Sequence, residues 1–220
     1  MEKNQEYSKV ISHIENLIKS GELSMGDRLP AERSVAEKTG VGRNSVREAL
    51  CVLEGMGIIT RRQGSGNYIT GNTEESIRQI FAMMLALGTV SPEDICSFRR
   101  IMEKAACMVL LDRGIGGESA KKIGEILSQM QDDENLPRLD REFHYEIIRA
   151  TDNELLINII EAVSWLYEEI ICSVISGADS DKRKLLVRYH QDIFEGLSRG
   201  KSADVLEAID MHYNLIEETL

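Results

Sequence analysis

Residues 29–69 read LPAERSVAEKTGVGRNSVREALCVLEGMGIITRRQGSGNYI, and this stretch decides the fold of the N-terminal part of the chain. Two short helical patterns meet at a tight break, Thr39-Gly40-Val41-Gly42. The second pattern repeats apolar residues at helical spacing, which predicts one face packed against a core. These apolar residues are Val46, Ala49, Leu50 and Leu53. Two helices joined by so short a turn predict a helix-turn-helix.

The other face of the second helix carries Arg43, Asn44 and Arg47 at or near its N-terminal end. A helix that enters the DNA major groove reads base edges with its N-terminal residues. Arginines and polar side chains there supply bidentate contacts to bases and contacts to phosphates. We therefore expect the second helix to be a DNA recognition helix.

After Gly57 the sequence alternates as two short strands joined by the turn Gln63-Gly64-Ser65-Gly66, which predicts a β-hairpin. Two arginines stand at the base of this turn. Its glycines carry no Cβ, so the backbone can closely approach a phosphate or a groove floor. We therefore interpret the hairpin as the wing of a winged helix. Its candidate DNA contacts are Arg61, Arg62, Gly64 and Gly66.

The 220 residues are enough for two domains, and charge is divided unevenly along them. Residues 1–70 hold 10 Lys+Arg and 9 Asp+Glu; the totals of 26 and 37 leave 16 basic and 28 acidic residues for the remainder. DNA would repel so acidic a part of the chain, which helps to keep binding on one face. We predict a DNA-binding domain over residues 1–70, a linker over 71–75 and a helical domain over 76–220.

Two features of the sequence indicate a cytoplasmic protein without a membrane segment. No run of about 18 or more apolar residues is present, and the N-terminus lacks the apolar core of a signal peptide. The four cysteines include no Cys-x-x-Cys pair, which favours reduced thiols. They are Cys51, Cys96, Cys107 and Cys172.

Beyond the predicted linker, the sequence reads as helix broken at glycine, proline and asparagine positions. Seven helices are predicted, over residues 73–87, 92–112, 117–132, 137–151, 153–176, 180–199 and 202–219. Their short connections predict an antiparallel bundle. The predicted fold class is therefore mainly α, with an N-terminal winged helix-turn-helix followed by an all-α bundle of six to seven helices.

One carboxylate and three histidines of the predicted bundle form a candidate metal site. Asp140 and His144 stand at i and i+4, so both project from one face of a helix. His190 and His212 fall on two later helices. Imidazole and carboxylate ligands suit Zn²⁺, Ni²⁺ or Mn²⁺. The residues alone leave open the alternative that each histidine is an ordinary structural residue.

Three motifs of the N-terminal part resemble the DNA-binding domain of the GntR family of bacterial transcription regulators. They are LPAER at 29–33, VGRNSVREAL at 41–50 and QGSG at 63–66. The resemblance implies that Arg33, Arg43 and Arg47 contact DNA and that Gly66 lies in the minor groove. Ser45, within the second motif, joins them as a DNA-binding candidate.

Residues 76–219 resemble the FCD ligand-sensing domain of the FadR subfamily in that family. Its Asp-x-x-x-His step and two later histidines match the four candidate ligands in order. The resemblance thus implies a divalent metal ion, zinc foremost, with positions open for a small carboxylate effector. Arg99 matches the start of the family's Arg-x-x-x-Glu segment and could bind an effector carboxylate as a fork. The alternative is an Arg99–Glu103 ion pair on a solvated face.

The combined expectation is a DNA-binding transcription regulator rather than an enzyme. The resemblance implies a homodimeric repressor on a pseudo-palindromic operator, controlled by a small organic acid. One alternative is a metal-dependent hydrolase with an appended DNA-binding domain, in which the metal activates water. Glu142 and Glu146 flank the ligands, but Glu142 points away from the face of His144. The other alternative is a purely structural metal with four protein ligands.

Overall fold

The computed structural model describes residues 2–130 and 135–218, and most of them are helical. In chain order the elements are α1 Glu2–Lys19, α2 Glu32–Thr39, α3 Arg43–Gly55, β1 Ile59–Arg62, β2 Gly66–Ile69, α4 Glu74–Ala86, α5 Pro92–Arg113, α6 Gly117–Gln129, α7 Leu136–Arg149, α8 Glu154–Gly177, α9 Ser180–Arg199 and α10 Ser202–Glu217. The chain divides into two compact units, Met1–Ile77 and Arg78–Leu220. This architecture confirms the predicted fold class.

Helices α1, α2 and α3 pack on one another in the first unit. Helix α2 ends at Gly40, whose φ of 69° is in the left-handed region that favours glycine, and α3 starts soon afterwards at Arg43. The α3 stripe predicted from the sequence is buried. The core consists of Val10, Ile14, Leu17, Leu23, Leu29, Val35, Val41, Val46, Ala49, Leu50, Leu53, Ile59 and Ile69.

The predicted wing is a two-stranded antiparallel hairpin. Ile59 of β1 lies opposite Ile69 of β2, and Arg62 lies opposite Gly66. The two isoleucines are buried in the core of the unit, while the arginine end of the hairpin is exposed. The hairpin is therefore anchored at its base and presents its turn to solvent.

Helices α5 to α10, with the C-terminal part of α4, form the second unit. Helix α9 packs on α10, α7 packs on α6 and α8, and α5 lies against α7, α8 and α10. Large apolar side chains with no more than 1% exposure fill the centre, among them Leu110, Ile123, Met130, Leu136, Leu139, Phe143, Ile147, Tyr167, Ile171 and Tyr213. Helix α5 thus touches most of the helices around it, and polar residues on its inner face meet in the middle of the bundle.

The helix boundaries follow local sequence signals. Ser91 and Asp94 form a capping box at the start of α5, and the side chains of Asn153 and Asp179 cap α8 and α9. The helices of this unit begin and end within two residues of the predicted positions, apart from the end of α6. Helix α6 ends at Gln129 and α10 at Glu217, and their predicted ends at residues 132 and 219 lie outside the described residues.

Within the described part of the chain, no helix has both the length and the apolar character of a membrane span. All four cysteines are free thiols, as expected. Cys96 and Cys107 are buried, whereas Cys51 on α3 is exposed.

Candidate metal centre and nucleic-acid interface

The four predicted metal ligands meet inside the bundle, brought there by three helices. Helix α7 supplies Asp140 and His144, α9 supplies His190 and α10 supplies His212. None of the four is more than 2% exposed. One potential ligand atom from each lies within 4.8 Å of the others, so the group could hold a metal ion.

The ligand atoms face one another at close range. His144 Nε2 is 3.1 Å from both His190 Nε2 and His212 Nε2. Asp140 Oδ1 lies 3.1 Å from His190 Nε2, 3.7 Å from His144 Nε2 and 4.0 Å from His212 Nε2. A tetrahedral zinc ion with ligands near 2.0 Å separates those ligands by about 3.3 Å. The observed spacings, between 3.1 and 4.0 Å, lie around that value.

Hydrogen bonds on the far side of two rings assign the tautomers. His190 Nδ1 donates to the Leu186 carbonyl at 2.7 Å, and His144 Nδ1 donates to Glu103 Oε1 at 2.8 Å. In the neutral rings, which are the forms that bind a metal, the Nε2 atoms are then lone-pair acceptors that point at one another and at Asp140. Both Asp140 carboxylate oxygens lack a hydrogen-bond donor among the described residues. Buried acceptors that face one another in this way need a cation between them, so the residues fit a divalent metal ion.

The electrostatics of the group lead to the same conclusion. Burial disfavours a charged imidazole, but the Glu103 and Asp140 carboxylates outweigh it and raise the pKa of His144 to about 9. Burial also raises the pKa of Asp140, but His144 and His190 more than offset this and hold it well below its usual value. The pKa of His212 is lowered by burial and then by the other two rings. The two carboxylates and three imidazoles therefore stabilise one positive charge at the centre of the group.

Glu103 is a residue of the site that the sequence analysis did not assign to it. This glutamate on α5 is 2% exposed, and its Oε2 accepts a hydrogen bond from the Tyr213 hydroxyl at 2.8 Å while Oε1 receives His144 Nδ1. A carboxylate behind a metal-ligating histidine fixes the orientation of its ring. The only signal in the sequence is the step of one helical turn from Arg99 to Glu103, which does not reveal the partner on α7.

Arg99 lies inside the bundle, on the same helix as Glu103. Its guanidinium is 3.8 Å above the centre of the Tyr167 ring, and Nη1 donates to Ser164 Oγ at 3.3 Å. Only 3% of Arg99 is exposed, and Glu103 is occupied by His144 and Tyr213. A solvated Arg99–Glu103 ion pair, the alternative considered from the sequence, is therefore wrong because both side chains are buried and point to other partners.

The carboxylates that flank the ligands do not face the metal centre. Glu142 forms an ion pair with Arg138 on the surface of α7 at 2.6 Å. Glu146 is buried against Lys122 of α6, also at 2.6 Å. Neither of these side chains is placed to serve as a general base for a metal-bound water, which the hydrolase alternative requires.

Helix α3 presents the predicted recognition residues to solvent. Arg43 and Asn44 are exposed in its first turn, and Arg47 is exposed one turn later. Arg47 Nε is 2.9 Å from Glu32 Oε2, and Arg33 on α2 pairs with Glu37 at the same distance. These exposed ion pairs are weak, so phosphates can replace the glutamates.

Ser45 is the one predicted DNA contact that the structure places elsewhere. It is 8% exposed, and its hydroxyl donates to Glu6 Oε2 of α1 at 2.6 Å. The position follows Asn44 by one residue, which rotates the side chain toward α1 and away from the exposed face. Ser45 therefore joins α3 to α1 in this structure, and its contact with DNA stays a prediction.

In the wing, Arg61, Arg62 and Gly64 are exposed, and Gly66 is half-buried. Arg62 lies 4.3 Å from the centre of the Tyr68 ring, and Arg61 is 4.0 Å from Glu54 of α3. Gly64 and Gly66 have φ values of 71° and 113°, so the turn depends on glycine at both positions.

Arg28 is a basic residue of this surface that the sequence analysis missed. It forms an isolated β-bridge with Tyr68, and its exposed guanidinium lies against Gly66, where an added Cβ would come within 2.8 Å of Nε. The loop before α2 thus supplies a third arginine to the wing. The sequence places it far from the hairpin, and only the fold brings the two together.

Comparisons with known proteins agree with both halves of this description. The family of bacterial regulatory proteins of the gntR type matches residues 6–69, and the FCD domain matches residues 94–215, more than half of the chain. The chain is 27% identical over 213 residues to the HTH-type transcriptional regulator LutR of Bacillus subtilis (strain 168), spanning 93% of this chain and 96% of that protein.

Two further similarities concern a regulator and a solved structure. The chain is 26% identical over 229 residues to the Uxu operon regulator of Haemophilus influenzae, spanning 99% of this chain and 82% of that protein. The solved structure of Streptococcus agalactiae GntR superposes with a TM-score of 0.71 over 97% of this chain and 100% of that one, at 20% identity, which is a likeness of fold. This chain therefore belongs to the GntR family of bacterial regulatory proteins, and it is a DNA-binding transcription regulator with an FCD domain.

Proposed function

We propose that this protein is a homodimeric transcriptional repressor whose operator affinity is set by a small organic acid bound at a metal ion in the helical unit. The observation that supports this proposal is the buried group of possible metal ligands, Asp140, His144, His190 and His212. In a chain that also has a DNA-binding unit, such a site can serve to sense a small molecule. The acid acts on DNA binding by favouring one of two arrangements of the protein, which requires different affinities for them.

The proposed DNA-binding surface consists of the recognition helix and the wing. Its residues are Arg28, Arg33, Arg43, Asn44, Arg47, Arg61, Arg62, Gly64 and Gly66. Arg43, Asn44 and Arg47 read bases from the first turns of α3, and the arginines around the wing neutralise phosphates. Operator affinity then falls steeply as salt concentration rises, because each phosphate contact releases counterions.

The metal in this proposal is a divalent ion, with zinc preferred and nickel or manganese as alternatives. Three imidazoles and one carboxylate are borderline ligands that suit zinc. Arg99 lies in the same interior and offers a guanidinium fork to a carboxylate. When bound, the ion supplies a Lewis-acidic point to which an acid oxygen can attach.

Dimerisation is supported by apolar side chains that α4 leaves in solvent. Ile80 and Met83 of α4 and Leu87, the residue after its end, are 59%, 60% and 70% exposed. An exposed apolar row of this kind marks an interaction surface. A second copy of the chain places two recognition helices on half-sites about one helical turn apart, near 34 Å.

The first test is recovery of genomic fragments by the purified protein. We expect sequencing of fragments bound at moderate salt to yield a recurrent inverted repeat upstream of an operon. Alanine at Arg47 should abolish the enrichment, whereas alanine at Arg199, an exposed arginine of α9, should not. Fragments without a shared motif, retained only at low salt, would contradict specific recognition.

The second test concerns the acid and the metal. Fluorescence anisotropy of the recovered operator is measured while carboxylic acids are added to zinc-loaded and to chelator-treated protein. We expect release of DNA by one class of acid in the zinc-loaded protein alone. Chelation that lowers thermal stability but leaves acid-dependent release unchanged would assign the ion a purely structural role.

A further inference from the structure

A polar stripe runs along one face of α1 in the DNA-binding unit. Its residues recur at steps of three and four positions between Lys9 and Asn16, which keeps them on one side of the helix. This side of α1 and the last residues of α2 border an open pocket of about 620 Å³. That volume lies in the range of about 300–1,000 Å³ that small-molecule sites occupy. The lining residues are Ser8, Lys9, Ser12, His13, Asn16, Lys38 and Thr39.

The charged side chains of this pocket, which we call the α1–α2 pocket, are both lysines. Lys9 and Lys38 are exposed, and no aspartate or glutamate is among the described residues that line the pocket with them. Neither lysine has an ion-pair partner within the described part of the chain, whereas Lys19 of the same helix α1 pairs with Glu15 at 2.6 Å. Two unpaired ammonium groups at one pocket produce a positive potential there, which attracts an anion.

The glutamates nearest to these lysines along the chain are held by other groups. Glu37, next to one lysine, pairs with Arg33 at 2.9 Å. Glu6 stands one helical turn before the other lysine, and its Oε2 accepts a hydrogen bond from the Ser45 hydroxyl at 2.6 Å. The charge of the two lysines is therefore left for a ligand.

His13 gives the pocket a polar atom that lacks a partner. It stands one helical turn after Lys9, and its side chain is half-buried. Its Nε2 is shielded from solvent and has no hydrogen-bond partner among the described residues. A shielded polar atom without a partner is costly, and a ligand that bonds to it removes the cost. Ser12 and Asn16, both exposed on the same stripe, add a hydroxyl and an amide that can donate.

We infer that the α1–α2 pocket binds a phosphate group, with Lys9 and Lys38 as the charged contacts and His13 as a hydrogen-bond donor. A phosphate monoester carries a charge of about −1.5 to −2 at neutral pH and three strong acceptor oxygens, which match two ammonium groups and several donors better than the single charge of a carboxylate does. Lysine binds phosphate as a point charge, so it needs no bidentate geometry.

The phosphate group has two possible sources with the same chemistry. One is a free phosphate compound, and the other is the DNA backbone, in which two successive phosphates carry two negative charges. The inference concerns the DNA-binding unit alone and uses neither the metal group nor the organic acid of the proposed function.

Inorganic phosphate is the first probe, added to the full-length protein at constant pH and ionic strength. NMR of the ¹³C-labelled His13 ring follows the titration, and we expect a signal shift that saturates. Loss of one charge about 4 Å from the ligand weakens the attraction in water about five-fold, so Lys38→Gln should lower the phosphate affinity by about that factor or more. Lys19→Gln is the matched control, because it removes the same charge from α1 where that charge is already paired. It should leave the phosphate affinity unchanged.

The salt dependence of DNA binding identifies the source of the phosphate. The affinity of the full-length protein for a short duplex of unrelated sequence is measured by anisotropy at several salt concentrations. Each phosphate contact contributes about 0.9 to the slope of log affinity against log salt concentration. If the DNA backbone occupies the pocket, Lys9→Gln and Lys38→Gln should each lower the slope by about one, and Lys19→Gln should not. An unchanged slope in variants that have lost phosphate binding assigns the pocket to a free phosphate compound.

Two results overturn the inference. The first is a His13 signal that does not saturate with phosphate, together with the same salt slope in all variants. The second is a loss of phosphate affinity or salt slope that is equal in Lys19→Gln and Lys38→Gln, because the general charge of the unit then explains the effect. The metal group takes part in neither measurement, so both results leave the proposed sensor function intact.

Discussion

Glutamine at position 103 tests whether a buried carboxylate orients a metal ligand. Glu103 Oε1 receives His144 Nδ1 at 2.8 Å, and both side chains are almost completely buried. This hydrogen bond keeps the proton on Nδ1 and leaves Nε2 of His144 free to face His190 and His212. Glutamine has nearly the same shape as glutamate but no charge, so Glu103→Gln removes the electrostatic part of the contact.

Two independent estimates give the size of the effect. A hydrogen bond to a charged group contributes about 1.5–3 kcal/mol. Loss of the outer partner of a metal-ligating histidine lowers metal affinity about 10–100-fold, which corresponds to about 1.4–2.8 kcal/mol. Because the estimates overlap, we expect Glu103→Gln to weaken zinc binding 10–100-fold. Competition with a chromophoric chelator measures the affinity, and ¹⁵N NMR of His144 reports which ring nitrogen carries the proton.

The matched control is Glu146→Gln, which alters another buried carboxylate of the same unit. Glu146 pairs with Lys122 at 2.6 Å on the far side of α7, so its loss should lower stability and leave zinc affinity unchanged. Zinc affinity within two-fold of the natural protein in Glu103→Gln would refute the reasoning. So would an equal loss of zinc affinity in the two variants, since a general loss of packing then explains both.

Three further predictions concern other parts of the molecule. Glu32→Gln removes the ion-pair partner of Arg47. Because exposed ion pairs contribute up to about 1 kcal/mol, we expect the affinity for non-specific DNA, measured by anisotropy, to rise by up to about five-fold. A lower affinity would show that Glu32 positions the arginine. Gly66→Ala places a Cβ against Arg28 and puts an alanine at a φ of 113°. We expect this substitution to destabilise the wing by on the order of 1–3 kcal/mol, measured as faster hydrogen exchange in β1 and β2. Gly42→Ala, with open space around it and a φ of −68°, should leave that exchange unchanged. Zinc removal by a chelator should lower the unfolding temperature reversibly, because a ligand bound only to the folded state stabilises it; an unfolding temperature that does not respond to zinc contradicts the metal site.

Much of the fold could be predicted because its signals are local. Apolar spacing identified the helices, and residues such as Ser91, Asn153 and Gly200 cap their ends in the structure. The pairing of Asp140 with His144 also followed from helical geometry, since residues four apart share a face. The convergence of His190 and His212 was different, because ordinary structural histidines remained the better interpretation until the resemblance to FCD domains was considered.

The sequence analysis failed where a partner lies on another element. Glu103 and His144 are far apart in the chain, and the spacing of residues on α5 offered only an ion pair with Arg99 as an alternative. The hydrogen bond from Ser45 to Glu6 is a second such contact, because it depends on the packing of α1 on α3. Arg28 joined the wing through a β-bridge that no short motif announces.

The sequence by itself therefore determined the helices, the helix-turn-helix with its wing and the chemical types of the candidate ligands, because periodicity, capping and turn residues act over a few positions. Only the tertiary structure decided which of those residues meet. It placed Asp140 and three histidines around one point, Glu103 behind one of them and Arg99 over Tyr167. Such contacts depend on how whole helices pack, and packing is set by the combined burial of many side chains rather than by any local pattern.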